Sequence, residues 1–547
     1  VMLRWTPTDR FTLDGLYLKQ KLDTGGTSRF TGAGTPAWPN LSPALLAATI
    51  ASGPPGPPVP LPGLPALTPT DDFVNADITN NQRDDDVELF GGTAAYQFDF
   101  GTATVSASFF DHDIIFRFDS TPVLLFFGVP APGATIQPQS YETTMVEARF
   151  ASSFDGPLNF VTGFYYQKDE NDFQVQVPTL DGNGNGVAFN PLNSNDFFGG
   201  GTIFFARDRS DEIKQKAVYG EATLDYKGWQ LVAGLRAFEV ELESVQQTLH
   251  NFGGASGPVA GTQIGTNFNG NAIGLIQTND NTIRPKVSLS YNVMEDVMLY
   301  ALYSEGFRVG GINNGNQPFA AGIPATFSSD EVNNYEFGIK SRWLDNRLQV
   351  NVTGFLIDWN DIQVEPRDPV GNIPFTTNGG KAEVNGIEWA LDWLPLEELE
   401  LSFTGTYYIS HELTQDQPVL PGASSLIIAG LDGDEIPNIP DVQLFGSAKY
   451  RTNLFGRPLT LIGDVTFRGD SNTEFRANSL FNLKLDSYVI GNIIANVEIN
   501  QHFTVGAYIK NIGDELAVQD GIATFQDPAS LVAARPRTFG ATIKWTY

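Results

Sequence analysis

The sequence predicts an all-β fold: an antiparallel transmembrane β-barrel of about 19 strands that takes in residues 1–547. Three observations predict it. The chain alternates apolar and polar residues with period two in segments of about ten residues, the mark of strands with one face to lipid and one to a polar interior. Its connections alternate between short and long. Its composition holds 55 Gly, 40 Phe, 17 Tyr and 8 Trp with only 18% charged residues, and glycine and aromatic side chains favour turns and strands.

The alternation is clean in several places. In 347–356, Leu348, Val350, Val352 and Leu356 oppose Arg347, Gln349, Asn351 and Thr353. In 399–408, Leu399, Leu401, Phe403 and Tyr407 oppose Glu400, Ser402, Thr404 and Thr406. In 489–500, Val489, Ile493, Val497 and Ile499 oppose Asn492, Asn496, Glu498 and Asn500. Polar faces this long do not suit the dry core of a sandwich.

Tight reversals are expected near Thr6–Arg10, Asp99–Gly101, Asp155–Pro157, Lys227–Gly228, Met294–Asp296, Leu344–Asn346, Pro395–Glu398, Asn453–Arg457 and Gln501–His502. Long connections are expected around 21–85, 120–138, 171–200, 249–279, 308–328, 364–379, 413–439, 472–485 and 516–532. Transmembrane barrels pair brief periplasmic turns with long outer loops in this way. Trp5, Trp229, Trp343, Trp393 and Trp545 all sit beside the short turns or the C-terminus. Tryptophan also favours strands in general, but its clustering at one end predicts an interfacial girdle.

Other architectures and partners are excluded or disfavoured. No stretch approaches the roughly 18–20 apolar residues of a membrane-spanning helix. Val1–Trp5 lacks the basic start, apolar run and small-residue cleavage site of a secretory leader. A net charge of −30 argues against nucleic acid, which wants clustered Lys and Arg. The absence of cysteine removes disulfides and thiolate metal sites and fits a chain that crosses an oxidising compartment. Residues 53–69, rich in Pro and Gly, read as a polyproline-like outer loop. The acidic run Asp84-Asp85-Asp86 reads as a solvated strand entry.

From Tyr300 to Asn313 the chain runs YALYSEGFRVGGIN, which closely resembles the segment leading into an outer loop in TonB-dependent outer-membrane receptors. Further pieces resemble that family in order: NYEFGIKSRWLDNRLQVNVTGFLIDWNDIQ at Asn334–Gln363, NGIEWALDWLP at Asn385–Pro395, KNIGDE at Lys510–Glu515 and RTFGATIKWTY at Arg537–Tyr547. The likeness covers nearly the whole chain. It implies a barrel of about 22 strands around a plugged lumen in the Gram-negative outer membrane. Its surroundings would be outer-membrane lipid and lipopolysaccharide, and its cargo a scarce solute such as an iron–siderophore complex. The TonB complex would act through a plug. Neither a plug nor a TonB box is found in the sequence, and LRWTPTD at Leu3–Asp9 looks like the fourth barrel strand of relatives. The reading is therefore of an N-terminally truncated barrel, since about 19 strands and about three more reach about 22. Closure of 19 strands through a parallel seam is the other possibility, as mitochondrial channels show.

Residue roles follow from the resemblance at the C-terminus and from strand position elsewhere. Phe539, Ile543, Trp545 and Tyr547 share one face of the last strand, similar to the C-terminal signal read by the barrel-assembly machinery, although the family more often ends in Phe. Arg308, Asn313 and Asn314 follow the strand that ends near Phe307, so they are the candidate contacts to solute or plug; loop architecture is the competing role. Gly310 and Gly311 are expected to serve the backbone. Lumen-facing Glu336, Lys340, Glu388 and Arg236 are expected to form a polar network.

No catalytic group, resident metal or cofactor is indicated. The four histidines His112, His250, His411 and His502 lack metal-ligand spacing. Asp111-His112-Asp113 suggests a base with its orienter, but neighbouring strand residues point to opposite faces. DGNGNG at Asp181–Gly186 resembles the start of a calcium loop, yet the twelfth position is Leu192 rather than Glu. Arg468-Gly469-Asp470 spells an adhesion tripeptide, which at a strand end is ordinary coincidence. Two alternatives to an energised receptor remain: a passive porin, and an outer-membrane hydrolase, which would need a nucleophile–base pair within hydrogen-bond reach.

Overall fold

The computed structural model describes residues 1–25, 29–30, 81–121, 124, 132–180, 203–250, 275–313, 324, 326–365, 375–418, 430–479, 481–522 and 530–546. The Pro/Gly-rich segment 53–69 and the DGNGNG motif lie outside them, as do Asn314 and Tyr547.

Nineteen strands form one sheet. Each pairs antiparallel with the next along the chain, from Met2–Thr8 with Phe11–Gly25 through to Phe503–Lys510 with Thr538–Trp545. This up-and-down meander matches the predicted strand number and order. Among the described residues no ladder joins the first strand to the last.

Among the described residues nine short turns join the strands at the predicted reversals. Lys227 and Gly228 both have positive φ, 47° and 84°, the two-residue turn whose twist matches that of paired strands. Phe455 and Gly456 repeat it at 51° and 78°. The turn after Trp343 carries three consecutive left-handed residues, Leu344, Asp345 and Asn346.

Strands are longer than the alternation suggests. Ile203–Tyr226 has 24 residues and Trp229–His250 has 22, whereas crossing a bilayer takes about 9–11. On the lipid-facing side the apolar alternation gives way to charge partway up the long strands, but the backbone ladder continues. Lower down, one face carries exposed Phe90, Val105, Phe164, Val218, Leu235, Ile283, Phe337, Phe403, Val465 and Ile493, which is the surface lipid would cover. Trp229, Trp343 and Trp393 lie at the turn end of this face, and Trp229 stacks on Tyr291 at 4.3 Å. The predicted girdle is present.

Above the apolar band the same face turns acidic in register. Glu88 pairs with Asp111, Asp111 with Glu142, Glu142 with Glu170, Glu170 with Glu212 and Glu212 with Glu243. Six carboxylates thus stand side by side across six neighbouring strands. Like charges directly opposite one another are destabilising, and a few lysines relieve them. Lys19 contacts Glu88, Lys168 reaches Glu170 at 2.8 Å and Glu212 at 2.9 Å, and Lys214 contacts Glu212. A row so charged cannot lie in hydrocarbon, so it marks the outer limit of the lipid-covered wall.

The opposite face is polar. Arg236 lies over the rings of Tyr165 and Tyr219, and the Tyr219 hydroxyl donates to Glu147 at 2.7 Å. Tyr300 bridges Glu336 and Thr353, and Lys340 sits over its ring. The network expected of Glu336, Lys340 and Arg236 is therefore in place on this face. A recess of about 490 Å³ is lined by Asn351, Thr353, Glu388, Thr404, Thr406 and Gln443.

Candidate functional site

The site is built where strand Val297–Arg308 ends and strand Asp330–Trp343 begins. Direct pairing puts Arg308 opposite Asp330. Asp330 is fully buried, at 0% exposure. An unpaired carboxylate there would be prohibitive, and five donors converge on it. Arg308 gives its backbone N–H at 3.2 Å, its Nε at 3.0 and 3.1 Å, and its Nη2. Trp359 Nε1 donates at 2.9 Å and the Gln363 backbone N–H at 3.1 Å. The Arg308 guanidinium also lies 4.8 Å from the Trp359 ring centre, so it is held by a carboxylate on its edge and an indole on its face.

Gln363 extends the hub by donating from Nε2 to the carbonyls of Val309 and Ser328 at 2.8 and 3.0 Å. Asn378 Oδ1 accepts from Ser328 N at 2.7 Å, while its Nδ2 donates to Ser328 O and Asp361 O at 2.9 Å each. Asn313, 5% exposed, does the same work from the other side. Its Oδ1 accepts from Thr376 N at 2.7 Å, and its Nδ2 donates to Thr376 O at 2.6 Å and Pro324 O at 2.9 Å. Two outer connections are thereby clasped together, each carrying a two-residue strand pair: Gly311–Ile312 with Thr326–Phe327, and Gln363–Val364 with Thr377–Asn378.

Gly310 and Gly311 serve close approach. A Cβ on Gly310 would stand 2.4 Å from Phe327 O, and one on Gly311 2.3 Å from the Phe327 ring. Beneath the clasp Ile362, Ala382 and Leu413 form a buried apolar cluster with Trp359, Val364, Ile436 and Phe475 packed against it. The outer connections thus share one small core.

Arg308 and Asn313, the sequence-derived candidates for contact with solute or plug, are both placed in this clasp. Asn313 is enclosed, but half of the Arg308 side chain remains exposed. Arg468 and Asp470 of the adhesion-like tripeptide also brace outer segments. Arg468 donates to Gln519 O at 2.7 Å and Asn438 O at 2.8 Å, and Asp470 pairs with Lys484 at 3.1 Å. The Lys484 ammonium holds the Asp470 carboxyl below its ordinary range.

Sequence reasoning missed two residues. Asp330 was hidden because its partners lie 22, 29 and 33 positions away. Asp85 was assigned to a solvated run, yet it is 9% exposed. It accepts from Arg83 Nε and Nη2 at 2.8 and 2.9 Å and stands 2.8 Å from His112 Nε2. The orienter of His112 is thus Asp85 from the adjacent strand. The only sequence signal was the period-two step from Arg83 to Asp85. Among the described residues no hydroxyl is hydrogen bonded to a histidine ring.

At the C-terminus Phe539, Ile543 and Trp545 are exposed on one face of the last strand.

Comparison with known proteins agrees with this architecture. The family model described as "TonB dependent receptor-like, beta-barrel" matches residues 5–512. The ferric yersiniabactin uptake receptor FyuA from Yersinia pestis superposes with a TM-score of 0.72 at 14% identity, covering 100% of this chain and 69% of that one. The ferric-catecholate import receptor Fiu from E. coli K12 gives 0.69 at 14% identity, with 100% and 73% covered. The metal-pseudopaline receptor CntO of Pseudomonas aeruginosa is 24% identical over 237 residues, 42% of this chain. The match spans only 29% of that curated relative's length. The chain belongs to the TonB-dependent receptor β-barrel family, and its place is the Gram-negative outer membrane.

Proposed function

We propose that this chain forms the wall and outer loops of a receptor that takes up a scarce solute across the outer membrane with energy relayed through TonB, the solute being an iron–siderophore complex. The observation that carries the reading is the clasp at Asp330. A receptor must hold its outer loops in a defined arrangement to recognise a solute before passing it on, because pre-organised groups lose less entropy on binding. The proposal draws further support from the family match and from the printed titles of FyuA and Fiu, both iron-uptake receptors.

On this reading the exposed half of Arg308, already aligned by Asp330 and Trp359, offers its remaining donors to an anionic group of the solute or to a plug loop. Asn313 and Asn314 act with it, Asn313 by fixing the loop. The lumen-facing polar residues line the path. Other partners follow from the family: outer-membrane lipid and lipopolysaccharide around the wall, the TonB complex through a plug, and the assembly machinery at Phe539, Ile543, Trp545 and Tyr547.

The test is uptake of radiolabelled iron–siderophore complexes by cells carrying the natural gene as their sole receptor, with and without TonB. Accumulation that requires TonB supports the proposal. TonB-independent flux of small solutes would favour a porin.

A further inference from the structure

Two histidines carry a carboxylate on Nε2 and no hydrogen-bond partner on Nδ1 among the described residues, His112 with Asp85 and His411 with Asp441. The His411 side chain is buried at 4% exposure while that of His112 keeps 20%, so His112 is the one a ligand can reach. His112 stands on strand Gly101–Asp119, on the face opposite exposed Val105 and Phe109, and therefore on the lumen side. Its Nε2 meets Asp85, and Asp85 is in turn held by the bidentate fork of Arg83. A carboxylate so held is ionised and can only accept, so the imidazole proton sits on Nε2. That leaves Nδ1 with its lone pair. Nδ1 bonds to none of the described residues, and the ring is flanked by Phe110 and Tyr141 with centroids at 5.8 and 6.3 Å.

A carboxylate on one imidazole nitrogen and an open lone pair on the other is the arrangement in which metal-ligating histidines are held, because the carboxylate fixes the tautomer and raises ligand basicity. What His112 lacks is company. Among the described residues no group of three His, Cys, Asp or Glu could hold a metal ion, and the chain has no cysteine. One imidazole cannot strip or retain a bare ion. It can complete the coordination of an ion that arrives inside a chelator with one position open.

We propose that His112 is a binding residue for a chelated transition metal in the lumen. Nδ1 donates its lone pair to a coordination position occupied by water in the free complex, and that water leaves; the Nε2 proton stays in its hydrogen bond to Asp85. No electron is transferred. Imidazole suits Zn, Cu, Ni and Fe ions, so the ligand class is a metal chelate of incomplete coordination, and Asp85 is the positioning residue. The assignment deepens the uptake reading by naming a lumen contact for its solute.

The probe is the copper(II)–iminodiacetate complex, added to the receptor purified from outer membranes of cells expressing the natural gene and followed by electron paramagnetic resonance. Heat-modifiable migration on a gel shows that each variant is folded. The wild-type protein is expected to add a nitrogen coupling to the copper spectrum, unchanged in H250Q, H411Q and H502Q. In H112Q the coupling disappears. In D85N, which keeps the imidazole but weakens its orientation, affinity falls about 10-fold or more, the range for lost outer-shell partners of metal ligands. If folded H112Q binds the copper complex as wild type does, or if D85N leaves the affinity unchanged, the proposal is wrong. Should energised uptake fail while His112-dependent copper binding persists, the uptake reading falls and this site stands.

Discussion

Arg308 and Asp330 face each other across two paired strands, and the half-exposed guanidinium meets a carboxylate that has no exposure at all. The burden is unequal. Removing Asp330 frees an arginine that can turn to solvent, whereas truncating Arg308 leaves a buried charge held only by the backbone N–H of position 308, by Trp359 and by Gln363. Breaking a buried pair from one side costs about 3–5 kcal/mol. R308A is therefore expected to loosen segments 309–313 and 361–365 more than D330N does, with R308K intermediate because an ammonium lacks the planar fork. Hydrogen exchange of these segments checks the order, with protection in the barrel strands unchanged.

Gly310 and Gly311 separate backbone clash from side-chain clash. In G310A the added methyl meets the Phe327 carbonyl and the Ser328 backbone; in G311A it meets the Phe327 ring, which can swing aside. Overpacking costs about 1–3 kcal/mol, and G310A is expected at the upper end and G311A at the lower. Limited proteolysis of the outer loops on intact cells should cut G310A faster.

The acidic row makes the opposite kind of prediction. Glu142 lies between Asp111 and Glu170. E142Q is expected to stabilise the wall by a few tenths to about 1 kcal/mol, since each opposed like-charge pair is removed at no cost in packing. Urea unfolding in detergent at low salt measures it, and the gain should shrink as added salt screens the row.

The Asp470 and Lys484 pair sets a pH window outside the membrane. Lys484 lowers the Asp470 pKa from 3.8, and Asp470 raises that of Lys484 from 10.5. A depressed carboxyl contributes stability above its unfolded value and loses it as pH falls through the folded one. A raised ammonium contributes below its unfolded value and loses it as pH rises through the folded one. Protection of segment 471–485 should thus hold from about pH 5 to 9 once the intrinsic exchange rate is removed, and fall on either side. D470N should flatten both limbs.

Much of this molecule was legible in its sequence because a barrel wall is written in local signals. Lys227-Gly228 announces a two-residue turn, Leu348 to Leu356 announces a lipid-facing row, and Trp343 with Trp393 marks the interface. Strand lengths were less legible, since the lipid-facing alternation gives way to charge at the row of Glu88 and Asp111 while the ladder continues beyond it. The site was legible only in outline. YSEGFRVGGIN located its loop, and the glycines' service to the backbone was expected. Asp330 and Asp85 gained their roles from register and from partners on other strands, which no local pattern encodes.

On the proposed reading this wall serves energised capture rather than passive leak. The most direct measurement is accumulation of a radiolabelled iron–siderophore complex at nanomolar concentration by cells whose only receptor is the natural gene product, compared between strains with and without TonB. Accumulation is expected with TonB, none without it, and a marked loss in R308A at undiminished outer-membrane abundance. Equal accumulation in both strains, rising linearly with concentration, would contradict it.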